Sequence, residues 1–222
     1  MDALTNGFTI QRFDGTYIYH SLTDFGLAVS NTDYIGEPTL ETFTVDVPGR
    51  KGIVDMSEDL TGYPVFKTRE IKLHVGGLNP KNDWDSVIST WRNYYHGRKC
   101  RIVFDNDPQW FWEGRVYINN FTRKQSLGEF DLKMTAFAYK KKLLPVTDEY
   151  TGPDDIEIRD FEIPTSPRFR VISGPATLTY DGITYQYNTN EIFRIPGVYT
   201  ENSTEVTLTT GEVEVIYEEL SL

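Results

Sequence analysis

The sequence predicts a mainly β protein, with an N-terminal β domain that carries one α-helix and a small all-β C-terminal domain. Aromatic residues are 14% of the 222 residues, and 17 glycines and 11 prolines supply turns between short segments. Several segments alternate apolar and polar residues with the two-residue period of a strand, whereas one segment has the 3.6-residue period of a helix. A chain of this length can bury a hydrophobic core without disulfides or metals.

Most of the predicted strands lie in residues 1–145. Asp14-Gly15 separates segments 9–13 and 16–19, which predicts a two-residue hairpin because both turn positions favour a positive φ. Segment 39–47 alternates less cleanly and stops at Pro48-Gly49. The other strands of this domain are predicted over residues 67–75, 100–104, 111–118 and 130–139.

One helix is predicted over residues 84–95. Its apolar residues recur at helical spacing on one face, at Trp84, Val87, Ile88, Trp91, Tyr94 and Tyr95. Asn82 or Asp83 can cap its N-terminus, and Gly97 can end it in the left-handed conformation.

The C-terminal part begins with a change of composition. Residues 146–166 are acidic and rich in proline, as at Gly152-Pro153, and we expect a linker or crossover there. Residues 167–222 are expected to form a small β-sandwich-like domain. Two hairpins are predicted in it, over 176–187 around Asp181-Gly182 and over 205–217 around Thr210-Gly211.

Charge and cysteine content exclude several classes of protein. The net charge is −11, and residues 1–145 hold 18 acidic and 18 basic residues, whereas the remainder holds 15 acidic and 4 basic ones. The acidic excess therefore lies in the C-terminal third, which argues against sequence-specific nucleic-acid binding. A single cysteine excludes an intramolecular disulfide framework and indicates synthesis in a reducing cytosol. We expect neither a signal peptide nor a membrane span.

Catalytic, cofactor and metal patterns are not found in the sequence. His20, His74 and His96 occur without the HExxH or CxxC spacing of a zinc site. No nucleophile elbow, phosphate-binding loop or dinucleotide fingerprint occurs. Cys100 lies between Lys99 and Arg101, whose charges favour a thiolate, but a small buried side chain is the preferred interpretation. We therefore expect no enzyme, no cofactor and no metal.

Two further patterns have a structural and a ligand-binding interpretation. Asp105-Asn106-Asp107 resembles the start of a calcium loop, but Pro108 follows, so a turn between strands is preferred. Trp110 and Trp112 are interpreted as core or subunit-interface residues, with stacking on a sugar as the alternative.

A run of motifs in the first domain is similar to one family. In order they are Pro48-Gly49-Arg50-Lys51-Gly52 with Asp55, Tyr63, Thr68-Arg69-Glu70-Ile71, Trp84 through the helix to Tyr95-His96-Gly97-Arg98, Arg101-Ile102, Asp105, Asp107, Pro108 and Trp110, and Glu113-Gly114-Arg115-Val116. Their order and spacing resemble the N-terminal domain of phage distal tail proteins, which are baseplate hub components of siphophage-type tails and of prophages.

The resemblance implies a β-sandwich-like domain with one helix that assembles into a hexameric ring. It also implies a virion protein at the tail tip, synthesised in the host bacterial cytoplasm. Its partners would be five other copies, the tail tube protein and the tail-associated or receptor-binding proteins. The candidate subunit-interface or structural residues are Arg50, Gly52, Arg69, His96, Gly97, Arg98, Trp110, Trp112 and Arg115. Cations among them can pair with acids across a ring interface.

Two other functions are compatible with the sequence. A carbohydrate-binding accessory module for host attachment would use the C-terminal tyrosines Tyr180, Tyr185, Tyr187 and Tyr199 as a stacking platform. A glycoside hydrolase would need two carboxylates about 5–9.5 Å apart in a cleft. We prefer the structural ring component.

Overall fold

A computed structural model describes residues 7–29, 34–49, 51–59, 62–78, 83–201 and 204–222. The chain divides into two compact units, Met1–Lys140 together with Leu222, and Lys141–Ser221. Strands dominate both units, which confirms the mainly β fold class. No helix in the described part of the chain has the length and hydropathy of a membrane span.

The first unit is built on one antiparallel sheet. Its elements are β1 Phe8–Arg12, β2 Tyr19–His20, α1 Ser21–Phe25, β3 Leu27–Val29, β4 Tyr34–Ile35, β5 Thr44–Val45, β6 Val54–Asp55, β7 Arg69–Leu78, α2 Trp84–Tyr95, β8 Lys99–Phe104, β9 Trp110–Lys124 and β10 Leu127–Ala136. The strand order is β2-β1-β8-β9-β10-β7-β3, and β4 also pairs with β7. β5 and β6 pair with each other in a separate two-stranded sheet.

The core of this unit lies between one sheet face and α2. β7 and β10 pair without interruption from Leu127↔Leu78 to Ala136↔Arg69, and every second residue of both strands is buried. The predicted helix α2 is confirmed, because Trp84, Ile88, Trp91 and Tyr95 are buried along one stripe. Gly97 follows it with a φ of 73°, as its predicted role requires. Asp83 is the N-cap residue without a side-chain hydrogen bond, and Asn82 lies outside the described residues.

A second, five-residue helix, α1, was not predicted. It is too short to show a helical period, and its start is capped by a histidine, an unusual residue at that position. His20 Nδ1 accepts a hydrogen bond from the Thr23 N–H at 3.2 Å, and Gly26 ends the helix with a φ of 65°.

The first hairpin has a wider turn than predicted. β1 and β2 pair as Thr9↔His20 and Ile10↔Tyr19, so the chain between them is longer than the two residues expected. The Asp14 carboxylate accepts hydrogen bonds from both the N–H and the hydroxyl of Thr16, at 2.9 and 2.6 Å. These bonds from Asp14 stabilise a local turn at residues 14–16, and β1 and β2 do not continue to pair up to this turn.

The second unit contains a six-stranded antiparallel sheet. Its elements are β11 Lys140–Lys142, β12 Val146–Thr151, β13 Asp154–Glu157, β14 Arg168–Tyr180, β15 Ile183–Tyr187, β16 Ile192–Phe193, β17 Glu205–Tyr217 and β18 Leu220–Ser221. The strand order is β12-β17-β14-β15, with β13 on β17 and β16 on β14, whereas β11 and β18 lie outside this sheet and pair with each other. Its core includes Phe169, Val171, Leu178 and Val215.

Residues 146–166 are not a linker, which corrects the sequence interpretation. β12 pairs with β17 from Val146↔Tyr217 to Thr151↔Glu212, and β13 pairs with the first part of the same strand. Ile156 is fully buried, and Tyr150 packs against the core. Four of the acidic residues that indicated a linker, Glu149, Asp154, Asp155 and Glu157, are exposed residues of these two short strands.

Of the two hairpins predicted in this unit, one is confirmed and one is wrong. Asp181 and Gly182 form the turn between β14 and β15, with φ values of 47° and 73°. Residues 205–217 instead form the continuous strand β17. Gly211 has a φ of 89°, and a Cβ there would approach the Cα of Ala176 to 2.8 Å. Thus Gly211 marks an irregularity where two central strands touch, and the chain does not turn back.

Candidate assembly surface

Four of the predicted site residues gather at the C-terminal end of α2. His96 Nδ1 accepts a hydrogen bond from the Ile118 N–H at 3.0 Å, and the Gly97 N–H donates to the Val116 carbonyl at 2.7 Å. The Arg115 guanidinium donates back to the Gly97 carbonyl at 2.5 Å. The Val116 N–H donates a hydrogen bond to the Arg98 carbonyl at 2.9 Å. We call His96, Gly97, Arg98 and Arg115 the helix-end cluster.

The helix-end cluster fastens α2 to β9. Gly97 follows the C-cap residue His96, and its N–H and carbonyl both find their partners on β9. The His96 ring also stands edge-on to Tyr117, with the ring centroids 5.9 Å apart. The side chain of Arg98 is exposed and that of Arg115 keeps much of its surface open, so both also remain accessible to a partner.

Arg69 and Trp112 form a second group at the start of β7. Arg69 is only 8% exposed, and its guanidinium carbon lies 4.8 Å from the centre of the Trp112 ring. Its Nε and Nη2 atoms are buried without a hydrogen-bond partner in the described structure. Burial lowers the pKa of this guanidinium, while Glu37 and Tyr139 act in the opposite direction. This pair belongs to the interior of the subunit.

Trp110 has a different environment from Trp112. Trp110 is half-buried, with the Lys140 ammonium 5.1 Å from its ring centre, whereas Trp112 is part of the core. Lys140 also binds the Asp107 carboxylate at 2.7 Å. The Asp105–Asp107 segment is the turn between β8 and β9, as preferred from the sequence, and Asp105 accepts from His20 Nε2 at 2.9 Å.

Gly52 belongs to the hairpin formed by β5 and β6. Gly52 lies in its turn with a φ of 92° and open space around its Cα, and Gly49 has a φ of 85°. Arg50 lies outside the described residues. We call residues 35–59 the arm.

The arm is almost unburied. Of its described residues, only Gly36 is buried. Its large apolar side chains are open to solvent, with Phe43 58% and Ile53 70% exposed, and Ile35, Leu40 and Val47 are exposed as well. The hairpin is held by its own hydrogen bonds, from the Met56 N–H to the Phe43 carbonyl at 2.9 Å and from the Phe43 N–H to Ser57 Oγ at 2.8 Å.

Sequence reasoning missed the arm as a surface. The sequence showed only that segment 39–47 alternates less cleanly than the other predicted strands and stops at Pro48-Gly49. A hairpin with apolar residues on both faces and no core beneath it breaks the alternation rule. Such a segment is typical of a surface that becomes buried in an assembly.

The described residues hold no cluster of metal-binding side chains, and the one cysteine is buried. None of their histidine, cysteine and acidic side chains form a group of three or more that could hold a metal ion. Cys100 is fully buried, and burial raises the pKa of its thiol to about 12. This agrees with the interpretation of Cys100 as a packing residue.

The C-terminal tyrosines do not form one exposed platform. The Tyr187 ring stacks on Phe193 at a centroid distance of 3.4 Å, and the Tyr180 hydroxyl donates to the Gly197 carbonyl at 3.0 Å. Tyr185 packs partly against the core, whereas Tyr199 is 42% exposed.

Comparison with known proteins gives no match to a protein family or to a curated protein sequence. Solved structures do match. The SPP1 Dit (gp 19.1) protein, described as a paradigm of the hub adsorption apparatus in phages that infect Gram-positive hosts, is 16% identical with a TM-score of 0.63, over 97% of this chain and 99% of that chain. A chain of the phage P2 baseplate in its activated, calcium-bound conformation is 8% identical with a TM-score of 0.50, over 97% and 98% of the two chains.

These matches show the fold. They extend over both units of the chain, whereas the motif resemblance covered only the first domain. The fold of a phage hub protein, which the motif resemblance implied, is therefore confirmed at the level of architecture.

Proposed function

We propose that this protein is a non-enzymatic structural component of a phage tail tip and that it forms a homo-hexameric hub ring. The ring would connect the tail tube to the tail-associated or receptor-binding proteins. The observation that carries the proposal is the fold shared with the SPP1 Dit protein over nearly the whole of both chains. The protein would then be located in the virion after synthesis in the bacterial cytoplasm.

The arm supports assembly with further copies. Full burial of a large apolar side chain is worth about 1.5–3 kcal/mol, and Phe43 and Ile53 have more than half of their surface open in the isolated chain. A contact between the arm of one copy and a different surface of the next is heterologous, and a heterologous contact that closes on itself produces a ring. Arg98 and Arg115, which keep accessible surface, can pair with acids across such a contact.

The oligomer tests the ring directly. Analytical ultracentrifugation and negative-stain electron microscopy of the full chain should show six-fold rings, at least in the presence of tail tube protein. Ile53→Ser should abolish the rings without changing the thermal stability of either unit, because Ile53 is 70% exposed. Ile192→Ser is a matched control, since Ile192 is 58% exposed on the second unit. If Ile53→Ser still forms rings, the arm is not needed to close the ring. If the parent chain stays monomeric in the presence of tail tube protein, the proposed hub function is wrong.

We further propose that the first unit forms the ring and that the acidic second unit lies peripherally. Residues after 145 carry the whole net charge of −11, and six such units would repel one another when crowded around a narrow axis. Beyond a Debye length of about 8 Å they are largely screened. A chain truncated after residue 145 should therefore still fold and oligomerise when the full chain does. A folded but monomeric truncation would assign the interface to the second unit.

A further inference from the structure

A polar groove crosses the sheet of the first unit on the face opposite the core. It has a volume of about 430 Å³ and is lined by Lys72, His74, Asn119, Asn120, Asp131 and Lys133, with backbone from two core leucines. The strand register sets His74, Asp131 and Asn119 side by side across β7, β10 and β9. The same register sets Lys72 beside Lys133 in the next row.

A β-bulge builds one wall of the polar groove. The β9–β10 pairing shifts between Glu129↔Thr122 and Asp131↔Asn119, so β9 carries one extra residue there. Asn120 absorbs the shift with a φ of 51°, a conformation that side chains rarely adopt. As a result Asn119 and Asn120 both face the groove, and Phe121 returns to pack against the core.

The side chains of the groove hold one another in place. Asp131 Oδ1 lies 2.8 Å from His74 Nδ1, and its Oδ2 accepts a hydrogen bond from the Asn120 amide at 2.7 Å. An ionised carboxylate only accepts, so Nδ1 is the donor atom of His74. Asn119, by contrast, makes no side-chain hydrogen bond within the described part of the chain, so its amide is available to a ligand.

The charges in and beside the groove compensate each other. Lys72 binds the Glu70 carboxylate at 2.8 Å, and Lys133 binds its second oxygen. Glu129 Oε2 also lies 3.7 Å from His74 Nε2. Two lysines thus face three carboxylates, those of Glu70, Glu129 and Asp131, so the groove and its rim carry no excess of positive charge. A groove without an excess of positive charge has no electrostatic preference for a phosphate or a carboxylate.

We propose that this polar groove binds a neutral saccharide of one or two rings. Amide and carboxylate groups held in a fixed arrangement offer both donors and acceptors, which is what the hydroxyls of a sugar need. The volume is within the roughly 300–1,000 Å³ usual for small-molecule sites. The groove is open and rimmed by polar groups, so we expect a dissociation constant on the order of 1 mM for a single ring. The inference concerns the single chain and does not depend on the hexamer.

Asn120 offers a selective variant. Asn120→Gly removes the amide but keeps the backbone, since glycine adopts a positive φ freely. Gln125→Gly is the matched control, because Gln125 is exposed with a φ of 50° on the same strand pair but does not line the groove. Both variants should fold and melt close to the parent chain, since glycine relieves the positive φ but makes the unfolded chain more flexible.

The test is a nitrogen-15 NMR titration of the full chain with glucose, galactose, N-acetylglucosamine and, as the charged counterpart, glucuronate. We expect saturable shifts at Asn119, Asn120 and Asp131 with at least one neutral sugar, binding weakened about ten-fold or more by Asn120→Gly, and unchanged binding in Gln125→Gly. Four results would overturn the proposal: no saturable shifts with any probe, tighter binding of glucuronate, shifts confined to Tyr185 and Tyr187, or normal binding by Asn120→Gly.

Discussion

Replacement of Trp91 by alanine tests whether the core of the first unit is packed as described. Trp91 is fully buried in the middle of α2. Its ring centroid lies 5.4 Å from those of Phe25, Tyr95 and Phe130 and 6.0 Å from that of Phe8. A tryptophan-to-alanine change in a core typically costs about 3–5 kcal/mol. The indole N–H has no hydrogen-bond partner in the described structure, so the loss is one of packing alone, and we expect about 4 kcal/mol.

Scanning calorimetry of the full chain measures this loss. A chain with two compact units is not expected to unfold in a single two-state transition. The unfolding transitions of the two units are therefore followed separately. For a unit of this size about 4 kcal/mol corresponds to a fall of roughly 12 °C in the Tm of the first unit. The second unit should melt as before.

Two further tryptophan variants make the result interpretable. Trp91→Phe leaves a smaller cavity and no unpaired N–H, so its Tm should fall much less than that of Trp91→Ala. Trp110→Ala removes a half-buried tryptophan at the start of β9 and should lower the Tm by only about 3 °C. If Trp91→Ala lowered the Tm by only about 3 °C, as expected for Trp110→Ala, the described packing of the core would be refuted.

Three other outcomes follow from single residues. Gly211→Ala should destabilise the second unit by about 2–4 kcal/mol through a clash with β14 and a positive φ, whereas Gly182→Ala, with open space around it, should cost about 1 kcal/mol; equal melting of the two variants would contradict this. Cys100 should resist a thiol reagent at mildly alkaline pH until urea unfolds the chain, because its thiol pKa is about 12; rapid labelling of the native chain would contradict its burial. The hydrogen bond from His74 lowers the pKa of Asp131 below 3.8, so the stability that Asp131 contributes is complete above that pH and is lost as the pH falls through its lower folded value. Urea unfolding should show Asp131→Asn less stable than the parent chain near neutral pH, and a difference that does not shrink with acid would argue against this contact.

Strong periodicity made much of the fold predictable. The aromatic stripe of α2 and the alternation in β7, β8 and β10 each reflect a single buried face, and the structure confirms all of them. The Asp-Gly turn at 181–182 was predictable because both of its residues need a positive φ. The Thr-Gly pair at 210–211 also resembled a turn, and that prediction was wrong. Glycine occurs there because β14 approaches Gly211 closely.

The site residues were predictable as a set but not in their roles. The motif order pointed to His96, Gly97 and Arg115. Nothing in the sequence showed that Arg115 binds the Gly97 carbonyl or that His96 accepts a hydrogen bond from β9. The arm could not be recognised, since a segment that is exposed in one copy carries no core-facing period. Likewise the polar groove depends on a bulge at Asn120, and a one-residue shift in pairing has no local sequence signature.

The position of β17 determines when the second unit can fold. This strand lies between β12 and β14 and also pairs with β13, although it is the last long strand along the chain. While the ribosome is still synthesising it, β12, β13 and β14 lack the partner that joins them, and their edges stay open. Pairing strands so distant in sequence is slow, because the loop must close before any contact stabilises it. We therefore expect the second unit to fold only after β17 has been synthesised.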